Sequence, residues 1–454
     1  MTFTILHGKN LDILPTLPDN SVDSIVTDPL YELGFMGKKW DSSGIAYSVE
    51  LWTECLRVLK PGGHLLSFGG SRTYHRVAVA IEDAGFELRD SIAWLYGSGF
   101  PKSLDVSKAI DKTAGAEREV VGLKPDWVKL RSAEIKRFKE GEPSIMNQRN
   151  RNLAPEFYKT EASAGYNNPD KGAEITAPAT DEAQQWNGWG TALKPAHEPI
   201  IVARKPLEGT VANNVLTHGT GALNIDGSRI GTDDNLNGGR YSDGKNENDS
   251  FVFGKGVNKR SKNDFEQPKG RWPANIILDE HTAGLLDEQS GVSKSTPAPR
   301  GEVPIASNSM SGAKTFSGSS HNDSGGASRF FYVAKASKRD RNEGLEELPF
   351  IKGGSLSGGE DKRSQTTNQP SRQNFHPTVK PTALMEYLVK LVTPPNGTVL
   401  DPFTGSGSTG KAAILNGFDF IGIEMTEDYL PIIKARLEHA ETEFAEAQAD
   451  KGLF

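Results

Sequence analysis

One cysteine stands among the 454 residues of this sequence, which excludes an internal disulfide and a cysteine-based metal site. No run approaches the roughly 18 consecutive apolar residues that a membrane-spanning helix requires. The opening MTFTILHGKNLDIL lacks the basic start and the apolar stretch of a signal peptide. We therefore expect a cytoplasmic protein without a membrane segment or a bound metal. Four isolated histidines fit surface or core positions better than metal ligation: His197, His218, His281 and His376.

Basic residues are slightly outnumbered by acidic ones, with 52 Lys and Arg against 59 Asp and Glu. The net charge is −7 at pH 7, which weighs weakly against a nucleic-acid partner. Two local runs depart from this average. Residues 255–271 contain six basic and two acidic side chains, and five of the six charged residues in 329–341 are basic. A solvated surface explains either run by itself, and a polyanionic partner would give both a role.

Both ends of the chain alternate between strand and helix patterns. Apolar runs in SVDSIVTDPL, HLLSFGG and ELRDSIAWLYGSG predict strands, and AYSVELWTECLRVLKPGG and TYHRVAVAIEDAGF predict the helices between them. Near the other end, TVLDPF and DFIGIEM predict strands among further helices. This alternation predicts an α/β fold with a parallel, doubly wound sheet. Each block is too small for a complete sheet, so we expect the two to form one.

Composition divides the chain into five segments. Residues 1–110 hold the first α/β block, and residues 111–190 form a polar insertion with little regular pattern. A returning strand, EPIIVARKP, lies in 191–206. Residues 207–375 are loop-rich, with Gly/Ser/Asn tracts, and residues 376–454 hold the second α/β block. The pattern predicts one sheet interrupted by an inserted middle region.

The stretch DPFTGSGSTGK, near the end of the chain, fits two ligand-binding motifs. Gly405, Gly407 and Gly410 give the G-x-G-x-x-G of a dinucleotide turn, and two of these glycines with Lys411 give most of a phosphate loop. A phosphate loop needs Ser or Thr after the lysine to hold magnesium, and Ala412 stands there. A strand before the glycines and a helix after them predict a ligand-binding turn.

Two acidic residues indicate the ligand of this turn. Glu424 ends the next strand, nineteen positions after Gly405, where a carboxylate can accept hydrogen bonds from ribose hydroxyls. Asp401, at the tip of the first strand, would repel a pyrophosphate and attract a cation. S-adenosylmethionine has a ribose, an adenine, a positive charge and no phosphate. The turn therefore favours S-adenosylmethionine over a nicotinamide dinucleotide.

A second candidate site is TDPLYE, where the first strong strand ends. The Asp28 carboxylate and a carbonyl of the turn can accept the two protons of an exocyclic amine, which orients the nitrogen lone pair toward an electrophile. Tyr31 can stack on a planar base, as a flipped nucleobase requires. An Asp-Pro turn at a strand end is common by itself, so this interpretation depends on the glycine turn as its partner.

Together these stretches resemble a known family, the amino-group DNA methyltransferases. LPDNSVDSIVTDPLYE is similar to the stretch that leads into the family's Asp-Pro-Pro-Tyr motif, and HPTVKPTALMEYLVKLVTPPNGTVLDPFTGSGSTGKAAILNGFDFIGIEM is similar to its cofactor half. The order of the two resembles the circularly permuted β class. LKPAHEPIIVARKPLEGTV, GRWPANIILDE and SRFFYVAKASKRDR resemble methylases of phages and prophages. Leu30 departs from the family's usual second proline, and HGKN replaces the Gly-Asp common near the start.

The resemblance implies a circularly permuted, Rossmann-like methyltransferase fold that uses S-adenosylmethionine, with a target-recognition domain at 207–375. It implies a catalytic motif of Asp28, Pro29, Leu30 and Tyr31, in which Asp28 and the Pro29 carbonyl hold the target amine. It implies cofactor contacts from Asp401, Pro402, Phe403, Thr404, Gly405, Ser406, Gly407 and Glu424, with Lys380 and Thr382 near the methionine end.

The implied activity is site-specific methylation of the N6 amine of a flipped adenine in double-stranded DNA, because Asp at the first motif position is typical of the family's adenine enzymes. The N4 amine of cytosine is the alternative within the family. A nicotinamide-dependent oxidoreductase and a catalytically silent DNA-binding protein are the alternatives outside it. We expect phosphate contacts from Lys255, Lys259, Arg260, Lys262, Arg271, Lys338 and Arg339.

Cys55 lies in the predicted helix LWTECLRVLK, where a buried structural role is expected. Methylation of a cytosine ring carbon needs a nucleophilic cysteine, and no motif supports one here. The resemblance is typical of restriction-modification proteins in a bacterial or phage-infected cell. A homodimer is compatible with the sequence, which does not define the oligomeric state.

Overall fold

The computed structural model describes ten parts of the chain: 1–33, 43–99, 103–139, 173–234, 236, 266–294, 324–335, 337, 339–349 and 373–451. The chain divides into two compact units. One comprises 1–98, 196–348 and 376–454, and the other comprises 99–195 and 349–375.

The strands and helices are numbered in chain order. The strands are β1 Phe3–His7, β2 Val22–Thr27, β3 Leu59–Phe68, β4 Glu87–Leu95, β5 Val120–Leu123, β6 Glu174–Thr176, β7 His197–Arg204, β8 Ile276–Asp279, β9 Ser293–Lys294, β10 Ser324–Gly325, β11 Tyr332–Ala334, β12 Thr398–Asp401 and β13 Asp419–Glu424. The helices are α1 Asn10–Ile13, α2 Val49–Val58, α3 Tyr74–Asp83, α4 Val106–Ala114, α5 Pro125–Lys139, α6 Asp181–Gln185, α7 Val211–His218, α8 Glu280–Ser290, α9 Thr382–Val392, α10 Ser408–Leu415 and α11 Leu430–Lys451.

A nine-stranded sheet forms the centre of the first unit. Its strand order is β1-β13-β12-β2-β3-β7-β4-β8-β11. Strand β12, from the end of the chain, pairs in parallel with β2, so that Leu400 lies beside Ile25. The expectation that the two α/β blocks form one sheet is confirmed.

Strand β7 runs antiparallel to both neighbours, β3 and β4, whereas the other neighbouring pairs are parallel. The expectation of a wholly parallel sheet was wrong at this strand. The Tyr96 amide donates to the Ala196 carbonyl at 3.0 Å, so the chain leaves the sheet and returns to it at one edge. A strand that re-enters where its neighbour ended must run in the opposite direction.

Strand β3 begins at Leu59, five residues before its predicted start at His64. Helix α2 ends at Val58, and the Pro-Gly-Gly that was expected to close it lies inside the strand instead. Leu59 pairs with Val22, and the register with β2 then shifts. Gly62 has φ +76°, which allows this irregularity without ending the strand.

Three sheet strands were not predicted as strands. β1 pairs with β13, β8 with β4, and β11 with β8. Each is three to five residues long, too short for a clear period. Strands β8 and β11 come from 207–375, so part of that loop-rich region belongs to the central sheet.

Apolar side chains pack on both faces of the sheet. One cluster includes Leu384, Leu388 and Ile433 from α9 and α11, and the other includes Trp52 and Cys55 from α2. Cys55 is fully buried, as expected, and burial raises the pKa of its thiol. Helices on both faces of a mostly parallel sheet define a Rossmann-like α/β fold.

The second unit contains α4, α5, α6 and the β5–β6 pair. Its buried Asp111 accepts hydrogen bonds from the Thr180 amide at 3.0 Å and pairs with Arg118 at 2.5 Å. In neither unit do the described residues include a helix with the length and hydropathy needed to cross a bilayer.

Candidate active site

Two sequence motifs meet at the carboxyl edge of the sheet. Asp28 directly follows β2, and Asp401 ends the adjacent strand β12. The Thr27 hydroxyl donates a 2.6 Å hydrogen bond to Asp401 Oδ1, in a buried environment. The expectation that the strand ending at Asp401 lies beside the strand before Asp28 is confirmed, although the two aspartates are 373 positions apart in the sequence.

The glycine turn continues from Asp401 into helix α10. Gly405 and Gly407 have φ values of +55° and +77°, a conformation that favours glycine. A Cβ atom on Gly405 would lie 2.9 Å from His376 Nε2. The turn therefore requires glycine for its backbone conformation and for the close approach of His376.

Two carboxylates hold the turn in place. The Phe403 amide donates to Asp401 Oδ1 at 3.0 Å, and the Gly405 amide donates to Glu424 Oε2 at 2.8 Å. Burial raises the pKa of Asp401 to about 6, against the hydrogen bond from Thr27. Burial also raises the pKa of Glu424, against its hydrogen bond from Thr426. Both acids keep acceptor capacity at a place where a ribose or a cation would be recognised.

Lys411 does not serve the turn as a phosphate-binding lysine. Its side chain is 2% exposed, and its ammonium lies 2.7 Å from Glu343 Oε2. Nearby, buried Arg436 donates to the Ser406 carbonyl, and burial lowers its pKa to about 10. Both cations support the loop from within the protein. This geometry agrees with the exclusion of a phosphate loop on the basis of Ala412.

Replacing Lys411 with methionine should lower the free energy of unfolding and leave the ligand side of the turn intact. The loss should fall between the ~1 kcal/mol of an exposed ion pair and the ~3–5 kcal/mol of a fully buried one. Denaturant unfolding measures it, and the double variant K411M/E343Q should lose less than the sum of the two single variants. A K411M protein with wild-type stability would contradict the structural role.

A cluster of charged side chains surrounds Asp28. Lys380 Nζ lies 2.9 Å from Asp28 Oδ2 and 3.0 Å from Glu198 Oε2. The Tyr31 hydroxyl donates to Glu198 Oε2 at 2.8 Å and lies 3.0 Å from Lys380 Nζ. The Lys380 ammonium also lies 4.7 Å from the centre of the Phe68 ring. One ammonium thus connects two carboxylates and the phenol of the predicted catalytic motif.

The cluster shifts the pKa values of its members. Burial raises the pKa of Asp28 and Lys380 opposes this effect. Burial alone would lower the pKa of Lys380, but Asp28 and Glu198 outweigh it and the pKa is raised. Burial raises the pKa of Tyr31, reinforced by the two carboxylates. Lys380 therefore remains cationic, and its charge lowers the pKa of Asp28 against the effect of burial.

One carboxylate oxygen of Asp28 takes no part in the hydrogen bonds of this cluster. Its Oδ1 is buried and has no hydrogen-bond partner among the described residues. The adjacent Tyr31 is fixed at its backbone, where Thr73 Oγ1 donates to the Tyr31 carbonyl at 2.8 Å. A Cβ atom on Gly70 would lie 3.3 Å from Tyr31 Cβ, so the glycine allows close packing. Pro29 is buried and Leu30 is partly buried.

The other predicted cofactor residues lie in or near the turn. The Pro402 carbonyl accepts from Asn10 at 2.6 Å, and Thr404 Oγ1 donates to the Asp401 carbonyl at 3.0 Å. Thr382 begins helix α9, and its buried hydroxyl has no hydrogen-bond partner in the described structure. Lys380 contacts Asp28 of the predicted catalytic motif. The cofactor contacts of Lys380 and Thr382 stay predictions.

The predicted DNA-binding residues are only partly described. Lys255, Lys259, Arg260, Lys262 and Lys338 lie outside the described residues. Arg271 forms an ion pair with Asp234, and its guanidinium lies 5.0 Å from the centre of the Phe330 ring. Arg339 is exposed. Contact with DNA stays a prediction for the whole set.

The isolated histidines do not assemble with acids or Cys55 into a candidate metal cluster within the described ranges. His376 is the one beside the glycine turn. Burial lowers its pKa to about 4, and its ring packs edge-on against Tyr429 at 4.7 Å. A neutral imidazole therefore borders the turn at neutral pH.

Glu198 is the main site residue that sequence reasoning did not assign. It lies in β7, within the quoted stretch LKPAHEPIIVARKPLEGTV, and reaches Lys380 and Tyr31 because β7 inserts between β3 and β4. A carboxylate directly before the apolar run 199–203 is the local signal, and it does not reveal the partners of Glu198. Its partners are 167 and 182 positions away.

The fold and this site define a class, the Rossmann-like methyltransferases that use S-adenosylmethionine. The side-chain set fits that cofactor: carboxylates at Asp401 and Glu424 suit a ribose and a cationic ligand, and Lys411 is committed to Glu343. The carboxylates of Asp401 and Glu424 would repel the phosphates of a dinucleotide, and Lys411 is already paired with Glu343.

The DNA methylase family with N6 and N4 amine specificity matches this chain over residues 22–114 and 144–435. The chain belongs to that family. Type II methyltransferase M.ScaI of Streptomyces caespitosus is 45% identical over 74 residues, which cover 16% of this chain and 22% of that protein. Type II methyltransferase M2.LlaDCHI of Lactococcus lactis subsp. cremoris is 30% identical over 185 residues, 39% of this chain and 63% of that protein.

Among solved structures, the PvuII DNA methyltransferase, described as cytosine-N4-specific, aligns with 98% of this chain and 91% of its own, with 13% identity and a TM-score of 0.40. The matches to the two type II methyltransferases span less than two thirds of their lengths.

Proposed function

We propose that this protein is a site-specific DNA methyltransferase that methylates the N6 amine of a flipped adenine. The observation that carries the proposal is the buried Oδ1 of Asp28, which has no hydrogen-bond partner among the described residues and lies on the strand next to the one that leads into the glycine turn. An acceptor without a partner in a buried site indicates a ligand that supplies a donor. The adenine assignment rests on Asp28 as the first residue of the motif.

Asp28 Oδ1 would accept a hydrogen bond from one N–H of the target amine, and the Pro29 carbonyl would accept a hydrogen bond from the other. These hydrogen bonds would keep electron density on the nitrogen and direct its lone pair toward the glycine turn. Tyr31 would stack on the base. S-adenosylmethionine, when bound, supplies an electrophilic methyl group on a sulfonium. Asp401 and the glycine turn would place it, and Glu424 would accept hydrogen bonds from its ribose.

Of the two predicted phosphate-binding residues that the structure describes, Arg339 is proposed to lie at the same sheet edge as Asp28. Strand β11 is parallel to β8, and β8 is parallel to β4. Arg339 follows β11 and therefore lies on the side of the carboxyl ends, where Asp28 also lies. Arg271 precedes β8 and lies on the side of the amino ends, paired with Asp234. These placements support Arg339 as a phosphate contact more than Arg271.

The permuted order of motifs and the recognition role of 207–375 are part of the same proposal. The site needs β2 and β12 side by side, and either chain order can produce that pairing. The 207–375 region supplies β8, β11 and the segment that holds Lys411 through Glu343.

The product nucleoside tests the proposed function. The protein is incubated with methyl-labelled S-adenosylmethionine and unmodified genomic DNA, and the DNA is digested and separated by chromatography. We expect the label in N6-methyl-2′-deoxyadenosine. Label in 4-methylcytosine alone would refute the adenine assignment and keep the family activity. DNA binding without label in either base would identify a catalytically silent protein.

A further inference from the structure

The charged cluster contains one acidic side chain more than the proposed chemistry uses. Asp28, Pro29 and Tyr31 suffice to hold a flipped base, yet Glu198 lies 3.0 Å from Lys380 and 2.8 Å from the Tyr31 hydroxyl. Its side chain is 19% exposed, and β7 carries it into the sheet between β3 and β4. Partial burial of the Glu198 carboxylate costs free energy of solvation, which its contacts with Lys380 and Tyr31 must offset.

We propose that Glu198 is a positioning residue for methyl transfer, which acts through Lys380 and Tyr31 to keep Asp28 ready to bind the target amine. This inference rests on the proposed function. Glu198 shares the Lys380 ammonium with Asp28 Oδ2 and leaves Asp28 Oδ1 for the substrate. The same carboxylate fixes the Tyr31 ring through its hydroxyl.

The charge balance of the cluster explains why Glu198 is needed. Lys380 alone beside Asp28 would form a neutral pair, and its ammonium would withdraw electron density from the acceptor. With Glu198, two carboxylates surround one ammonium and the cluster keeps one net negative charge. Positive charge develops on an amine as it accepts a methyl group, so a negative cluster stabilises that change.

The titratable groups facing Asp28 come from several elements. Lys380 precedes α9, Glu198 lies in β7, Tyr31 is in the same turn as Asp28, and the carboxylate of Asp401 lies at the end of β12. Tyr96, after β4, interacts with Glu198, and burial raises its pKa to about 12. Burial raises the pKa of Asp28 most, Lys380 lowers it, Glu198 raises it, and the Tyr31 hydroxyl lowers it.

Glu198→Gln separates a positioning role from a structural one. Glutamine keeps an oxygen that can accept from Tyr31 but removes the charge that Lys380 shares. We expect kcat for methyl transfer to fall ~100-fold, on the scale of removing one preorganised electrostatic partner, with KM for both substrates nearly unchanged. Because Glu198 raises the pKa of Asp28, the acidic limb of the pH profile of kcat/KM should move to lower pH.

Glu87→Gln is the matched control. Glu87 lies in β4 and pairs with Arg204 of β7 at 2.6 Å, so the control removes a carboxylate from the same pair of strands, at the opposite end from the site. It should leave kcat and the pH profile at wild-type values. Melting temperatures of both variants report on their folding.

The outcomes of this comparison are distinct. A fall in kcat with a displaced acidic limb supports the proposal. A wild-type kcat in Glu198→Gln overturns the proposal. A lower kcat with the acidic limb of the pH profile at its wild-type position also overturns it, because that result indicates a structural role only. If the wild-type protein itself transfers no methyl group to DNA, the proposed function fails and this role fails with it.

Discussion

Asp28→Asn should reduce methyl transfer to DNA by a factor of ~10³ or more while binding of S-adenosylmethionine persists. The geometry makes asparagine a severe change despite its equal size. Its oxygen would turn toward the Lys380 ammonium, 2.9 Å from Oδ2 in the wild type. The amide nitrogen would then occupy the position of the free Oδ1, where a donor meets the donor of the target amine. The variant would lose a hydrogen bond to the target nitrogen and gain a repulsive contact there, so the rate of methyl transfer should fall steeply.

Single-turnover transfer and calorimetric cofactor binding measure the two quantities for Asp28→Asn separately. Asp19→Asn is a suitable control, because Asp19 is 71% exposed and pairs with Arg57 on the surface. Asp28→Ala should also abolish transfer, since it removes the acceptor without adding a donor. Substantial turnover in both variants would show that Asp28 is not the catalytic acceptor.

Glu424→Ala should weaken binding of S-adenosylmethionine by about 10–100-fold. Hydrogen bonds to a charged acceptor contribute roughly 1.5–3 kcal/mol, and each 1.4 kcal/mol is about tenfold in affinity. The substitution also removes the acceptor of the Gly405 amide at 2.8 Å, which loosens the turn that we propose binds the cofactor. Both effects act in the same direction.

Calorimetric titration with S-adenosylmethionine measures the loss, with Glu427→Ala as the control on an exposed neighbour. Glu424→Gln should lose less than Glu424→Ala, because the amide oxygen can still accept one hydrogen bond. Equal affinity in the wild type and Glu424→Ala would place the ribose elsewhere.

The cofactor half could be predicted from the sequence because its signals are local. TVLDPF, the glycines and DFIGIE lie within 27 residues, and each element is predicted by its own period or turn. Helix α9 has eight buried residues in eleven, a pattern that is visible without tertiary information. The structure confirms these elements and the pairing of β12 with β2.

The charged cluster could not be predicted in the same way. Lys380 belongs to a recognised motif, but its contacts with Asp28 and Glu198 depend on three separate parts of the chain meeting at one edge. The insertion of β7 as an antiparallel strand brings Glu198 there, and no local pattern gives strand direction. A run of basic residues in the sequence also does not show which of them are available to bind DNA, since Arg271 belongs to such a run and forms an ion pair with Asp234.

The antiparallel pair β4–β7 has a consequence for how the chain can vary. The two strands are the arms of a hairpin whose connection, from Tyr96 to Ala196, is about a hundred residues long. Lengthening a closed loop from about 4 to about 100 residues adds only ~3 kcal/mol of closure entropy. An insertion at this point is therefore inexpensive for the sheet. The connection is a place where segments of very different length and sequence can be exchanged while β4 and β7 stay paired.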